Sequence, residues 1–321
     1  DASFPFSSRS WIKSFPLARS FSPAILNLLS ECDLIHLYSV NAIPYLFDVD
    51  KPIIWTCHGH WEVTSRRKGF IISNTVDYIV FVSDNVRQRL SKVVSFSQST
   101  VIPLGVDLQV LISQDENLPR FENFDKFNIV RDHRFIILVL ARFQPIKGQF
   151  FLLISLFISL LRNHSYTRNS RFLFVGTYSS FPEYMYYLCV RVVATLLESL
   201  GSSIVFCGYT SKPGLFLRLC DFVVIPSFYE SFGMVAIESL VYGKPIVGPS
   251  NTGVESIINQ TKSGFVFSSG NPFSLSSHLD NMYSNVDTFS SNHLISKSLD
   301  FCVSHQASEY TRIYYSLLSH E

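Results

Sequence analysis

Charge is scarce in this chain: 16% of its 321 residues are Asp, Glu, Lys or Arg, and they balance to a net charge of +1. Without a basic excess there is nothing to neutralise a phosphate backbone, so nucleic acid is excluded as a partner. The six cysteines, Cys32, Cys57, Cys189, Cys207, Cys220 and Cys302, form no C-x-x-C pair or other metal-ligand spacing. Four of them sit in or beside apolar runs, so they read as buried free thiols of a reducing compartment, with no bound metal expected. Long apolar runs are missing as well. The longest, Phe150 to Leu161, is about 12 residues against the roughly 20 that cross a bilayer, and it reads as a buried helix. No basic start with a small-residue cleavage site opens the sequence, and no repeat of solenoid period runs through it. A cytoplasmic location is the expectation. With 47% hydrophobic residues and a mean hydropathy of +0.22, there is material for two cores of ordinary domain size.

Short apolar runs alternate with helical periodicity, the rhythm of a parallel α/β protein. The first set of strands is read at 33–38, 52–57, 78–82 and 100–102. The second is read at 135–140, 172–175, 204–207, 222–225, 245–247 and 264–267. Between the sets, residues 108–132 are polar and aperiodic and read as a linker. The domains expected are therefore 1–107, the linker, 133–302, and a closing helix in 303–321 whose Tyr310, Ile313, Tyr314 and Leu317 share one apolar face. Residues 1–30 read as a Ser/Phe/Pro-rich loop with a helix near Pro23 to Ser30, and the first clear strand comes only after them.

Two segments of the second domain concentrate the polar chemistry. In Pro226-Ser227-Phe228-Tyr229-Glu230-Ser231-Phe232-Gly233-Met234, Glu230 sits in the loop after a buried strand, and a buried helix is read from about Phe232 that carries Glu238. The amides of Ser231, Phe232 and Gly233 then stand at a positive helix end, which suits a phosphate. A loop Glu and a Glu two turns along the helix are on the order of 10 Å apart, enough to hold a diphosphate between a hexose and a ribose. Alone, the spacing fits a solvated loop Glu beside an ordinary helix Glu better. The second segment is Ala141-Arg142-Phe143-Gln144-Pro145-Ile146-Lys147-Gly148, where Arg142 follows a strand and Lys147 is read as opening a helix. Alone, these are two solvated bases. Beside the carboxylates they read as a clamp for a diphosphate, since charge builds on that group as a nucleotide-sugar bond breaks.

With Val101-Ile102-Pro103-Leu104-Gly105-Val106-Asp107, these segments resemble the motifs of the retaining glycosyltransferases of family 4. Over most of the chain, the resemblance implies a GT-B fold of two Rossmann-like domains with parallel sheets, here with one or two strand-helix units absent from the start of the first. It implies a metal-independent hexosyltransferase that uses a UDP-, GDP- or ADP-linked sugar, needs no further cofactor, and serves a hydroxyl acceptor that is a glycan, a lipid or a small molecule. A truncated relative that only binds a nucleotide sugar or serves as a partner subunit is the alternative.

By the same resemblance, Glu230 faces the donor sugar, Glu238 the ribose, and Arg142 and Lys147 the diphosphate. His58, after the strand at 52–57, faces the sugar from the first domain, with His60 as a competing assignment. Ser231, Phe232, Gly233, Met234, Gly176 and Tyr209 complete the donor site. Gly253 and Glu255 resemble the family's G-G-x-P-E, but Thr252 replaces a Gly and is expected not to reach the backbone angles a Gly would. Arg66-Arg67-Lys68 beside Trp61 reads as a solvated loop or as a peripheral contact with the cytoplasmic membrane face.

Overall fold

A computed structural model describes residues 27, 29–46, 49–108, 111 and 134–319. Most of the loop and helix read at 1–30, and nearly all of the linker read at 108–132, lie outside the described residues. The chain divides into two compact units, Asp1–Gly105 with Ser304–Glu321 and Val106–Val303.

Among its described residues the first unit holds four parallel strands, β1 (Ile35–Leu37), β2 (Ile53–Cys57), β3 (Tyr78–Phe81) and β4 (Ser99–Val101), side by side in chain order. All five residues of β2 are buried, Trp55 among them, which is why this strand reads as a continuous apolar run without alternation. Helices α1 (Arg66–Thr75) and α2 (Asp84–Leu90) begin at serines that cap them. Ser65 Oγ accepts from the Lys68 amide and Ser83 Oγ from that of Val86.

Among its described residues the second unit holds six parallel strands: β5 (Phe135–Leu140), β6 (Ser170–Val175), β7 (Ser203–Gly208), β8 (Phe222–Val224), β9 (Ile246–Pro249) and β10 (Gly264–Phe267). Their spatial order is β10-β9-β8-β5-β6-β7. The chain runs outward from β5 to β7, then returns to the other side of β5 with β8 and runs outward again. That reversal lies at the carboxyl ends of β5 and β8, the switch point at which doubly wound sheets leave a crevice for ligands. The helices are α3 (Gln149–Leu161), α4 (Tyr166–Asn169), α5 (Phe181–Ser199), α6 (Gly214–Leu219), α7 (Met234–Val241), α8 (Gly253–Thr261), α9 (Pro272–Asn285) and α10 (Ser291–Ser298). α3, α5 and α9 pack with the sheet around a core that includes Leu152, Leu156, Phe172, Phe222 and Leu279.

Two expectations change here. The run Phe150 to Leu161 does become a helix, but only one side of it is buried, because α3 lies in an outer layer with a single face toward the sheet. Phe150, Ile154, Phe157 and Leu161 are exposed. The cysteines are free, yet burial holds fully only for Cys57, Cys207 and Cys220; Cys32 and Cys302 are half-buried and Cys189 is exposed on α5.

A last helix, α11 (Val303–Leu318), lays Tyr310 and Ile313 on Ile54, Val80 and Ile102 of the first unit. A polar network fastens it. His36 Nδ1 meets Tyr314 Oη at 2.7 Å, His36 Nε2 meets Thr56 Oγ1 at 2.7 Å, and that hydroxyl meets Tyr310 Oη at 2.9 Å. Burial, with the charge of nearby His58 second, lowers the His36 pKa from 6.5 to about 4. The imidazole is therefore neutral where an unfolded chain would already bind a proton. Its contribution is complete above the ordinary histidine value and is lost as pH falls from about 6.5 towards about 4. Urea unfolding at a series of pH values should show stability declining across that interval, and the decline should be smaller in His36→Gln.

Candidate functional site

Backbone close to backbone builds the crevice at β5 and β8. After β5 the chain makes a short 3₁₀ turn, Pro145–Lys147, and α3 starts only beyond Gly148. Lys147 therefore lies on this turn and not at the opening of the helix. Gly148 has φ +70°, and a Cβ on it would run into the Pro226 carbonyl. The Phe228 amide donates to the Ile146 carbonyl at 2.9 Å. The loops after β5 and β8 are thus pressed together, and across that seam Lys147 Nζ reaches Glu230 Oε1 at 2.7 Å. Both side chains are mostly screened from water, at 24% and 18% exposure, which places this pair beyond the surface contacts that contribute little. Ser227 Oγ donates to the same oxygen at 2.9 Å.

The Glu230 carbonyl accepts from the Gly253 amide at 2.9 Å, and no Cβ could fit at Gly253 against Ser231 and Phe232. The turn 230–233 is therefore moulded onto the start of α8. α7 begins at Met234, two residues later than its sequence suggested, because Gly233 takes φ +103°. Of the first-turn amides, that of Ala236 is bonded to the Gly233 carbonyl, which leaves those of Met234 and Val235 as the donors that an α-helix start presents without an intrahelical acceptor. Glu238, one turn further, has its pKa raised by burial alone. Phe232 is buried, Ser231 half-buried and Met234 exposed.

At the other rim, the Gly176 amide donates to the Gly208 carbonyl at 2.8 Å, joining the ends of β6 and β7. Gly176 lies so close to Ala141 that a side chain there would strike its carbonyl. Tyr209 follows Gly208 and is 74% exposed. Arg142 is held from two sides: the buried Gln149 donates Nε2–H to its carbonyl at 2.7 Å, and the next amide, of Phe143, donates to Thr177 at 2.8 Å. Arg142, Lys147, Glu230, Glu238, Ser231, Phe232, Gly233, Met234, Gly176 and Tyr209 all belong to the second unit. His58 belongs to the first, where its ring stacks on Tyr38 at 5.9 Å and its amide donates to Glu62 Oε1 at 2.7 Å.

Thr252 corrects an expectation. Its φ is −138°, which any residue adopts, and its hydroxyl donates to the Pro249 carbonyl at 2.9 Å. The left-handed position is Asn251, at φ 57°, whose amide is held by Glu255 Oε2 at 2.7 Å. Gln144 and Glu183 went unread. Gln144 Nε2–H donates to Glu183 Oε1 at 2.6 Å, and the Ser179 amide donates to Oε2 at 2.6 Å. The Gln144 bond first, then that amide, hold the Glu183 pKa below the usual value, and Arg142 adds to this. The signal was present: Ser180-Phe181-Pro182-Glu183 is the Ser-x-x-Glu pattern of a helix start.

The family description "Glycosyl transferases group 1" matches residues 120–295, and "Glycosyltransferase Family 4" matches residues 2–110. The chain belongs to the glycosyl transferases group 1 family. An uncharacterized glycosyltransferase of Methanocaldococcus jannaschii is 24% identical over 259 residues, 78% of this group 1 chain and 62% of that relative. The D-inositol 3-phosphate glycosyltransferase of Paenarthrobacter aurescens is 27% identical over 197 residues, 59% of this chain and 44% of that protein. The chain thus spans less than two thirds of the length of either. Among solved structures, a glycosyltransferase from Rickettsia africae superposes with a TM-score of 0.78 at 19% identity, covering 93% of this chain and 80% of its own. Anabaena HepE in complex with UDP gives 0.77 at 18% identity, covering 92% and 83%. The fold is accordingly the GT-B plan of two parallel α/β units.

Two outcomes follow for this group 1 chain. Gly148→Ala combines a strained φ with a clash against Pro226, so urea melts should show a loss of about 1–3 kcal/mol. The Glu238 carboxyl, whose pKa is raised in the folded state, stabilises below the ordinary glutamate value and loses that stability as pH rises through its own. Glu238→Gln should therefore melt at a higher temperature than the parent at neutral pH, and the two should converge in acid.

Proposed function

We propose that this chain transfers a hexose from a nucleoside-diphosphate sugar to a hydroxyl acceptor, with retention at the anomeric carbon and without a metal. The observation that carries the reading is the Lys147–Glu230 pair at 2.7 Å, set where the strand order reverses and beside the start of α7. A cation for a diphosphate and a carboxylate for sugar hydroxyls stand in contact there. Glu238 adds support: burial raises its pKa, and hydroxyl donors from a ribose would offset the desolvation that its charged form bears.

In this reading the bond between the anomeric carbon and the departing phosphate oxygen breaks while the acceptor oxygen attacks the same face, and the departing oxygen takes the acceptor's proton. Arg142 and Lys147 stabilise the charge that builds on the diphosphate, more as the bond lengthens. Glu230 orients the sugar and Glu238 the ribose, while the amides of Met234 and Val235 face a phosphate. The amide of Gly176 is already bonded to Gly208, so this glycine would serve by leaving room. For His58 the assignment to the sugar rests on resemblance. UDP is favoured as the nucleotide, because HepE was crystallised with UDP and with UDP-glucose.

Calorimetry with UDP, GDP and ADP, followed by assays of sugar release and transfer, tests the reading. UDP should bind, and Lys147→Ala and Glu230→Ala should each lower turnover on the order of a hundredfold or more. Near-normal transfer by either variant would remove its assignment, and binding without release or transfer would make the chain a nucleotide-sugar binder.

A further inference from the structure

The outer helical layer of the second unit is apolar where it meets solvent. α3 turns Phe150, Ile154, Phe157 and Leu161 outward, with Leu161 68% exposed. α5, packed beside it, turns out Phe181, Met185, Leu188, Val192 and Leu196, the last two at 63% and 60%. In each helix these residues recur at three- and four-residue steps, so they form one line along its outer side. No charged side chain falls on either line. Two parallel lines of large apolar groups on neighbouring helices make a broad patch of the kind that marks a contact surface.

Arginines border this face on three sides. Arg162, which ends α3, lies over the ring of exposed Phe273 on α9, 5.2 Å from its centroid. Arg191 lies over Phe206 of β7 at 4.7 Å, at the opposite border. Arg168 of α4 is exposed and lies beside Gly201, past the end of α5. The acidic groups on α3, α4 and α5 are Glu183, engaged by Gln144, and the exposed Glu198. Asp280 on neighbouring α9 is paired with His164 at 2.9 Å.

We propose that this face docks flat on an anionic phospholipid surface. An uncharged plane of Phe, Leu, Ile, Val and Met with guanidinium groups at its border matches the boundary between acyl chains and acidic headgroups, into which such faces sink roughly 5–10 Å. Charge also separates this occupant from a second copy of the chain. Two copies mated through this face would bring one arginine border against another, with a single exposed glutamate per chain to answer them. The helices would lie in the plane of the interface and do not cross it: no helix among the described residues is long and apolar enough to do so.

Flotation of the whole chain with phosphatidylcholine vesicles, with and without phosphatidylglycerol, tests the proposal. The parent should float with the acidic vesicles far more than with the neutral ones, and less as salt is added. Ile154→Gln/Phe157→Gln/Val192→Gln/Leu196→Gln changes exposed positions only and should keep its melting temperature while losing at least about tenfold in partitioning. Arg162→Gln/Arg191→Gln should lose about fivefold for each arginine, on acidic vesicles alone. Three results would overturn the proposal. The parent fails to float, both variants float like it, or binding is lost only in Arg66→Gln/Arg67→Gln/Lys68→Gln of the first unit. A parent that fails to float but sediments as a dimer, which the four-site variant abolishes, would give the face to a second copy.

Discussion

The second unit turns on the close approach of two loops that are distant in sequence. β5 and β8 are neighbours in the sheet although β6 and β7 lie between them in the chain. That adjacency presses Gly148 against the Pro226 carbonyl and sets Lys147 on Glu230. The ion pair can form because strand order has brought the two loops together, with the Phe228 amide bonded to the Ile146 carbonyl beside it. The turn that carries Glu230 is fixed in the same way from its far side, where only a hydrogen can occupy the α position of Gly253.

Electrostatics in this chain follow from how few charges it has. Lys147 and Glu230 neutralise one another, Glu183 draws on Gln144 with Arg142 nearby, and Glu238 is left with the cost of its burial. The crevice is thus built from charges held by geometry and not from a strong overall field, consistent with a net charge of only +1. The first unit handles polarity differently. A neutral histidine, a threonine and two tyrosines form a continuous chain of hydrogen bonds beneath α11, from Tyr314 through His36 and Thr56 to Tyr310, and it is the neutral form of His36 that fits there.

Much of the architecture was legible in the residues. The ten strands among the described residues lie where apolar runs stopped at turn residues, within two residues at each end, because a strand buried in a parallel sheet leaves a continuous hydrophobic signature. Less legible was what depends on which side of an element faces out. The polar residues of the run from Phe150 to Leu161, Ser155 and Ser159, are fully buried while Phe150, Ile154, Phe157 and Leu161 meet solvent, so its periodicity points away from the exposed side. Thr252 looked like a misfit for a glycine position; the left-handed conformation belongs to Asn251, and only the backbone angles could show the shift. Gln144 was invisible because a lone glutamine carries no pattern, whereas its partner Glu183 stood in a helix-start motif that could have been read.

The amino-acid order alone determined the element types, the membership of two sets of strands, and the residues that could bear chemistry: Arg142, Lys147, Glu230 and Glu238. These are local properties, written in hydrophobic period, turn chemistry and motif spacing. The tertiary structure decided which of those residues touch, which carboxylate is paired and which bears the cost of desolvation, and which apolar helix faces are left to solvent. Contact, desolvation and exposure depend on strand order and on layers from remote parts of the chain, and no local pattern encodes them.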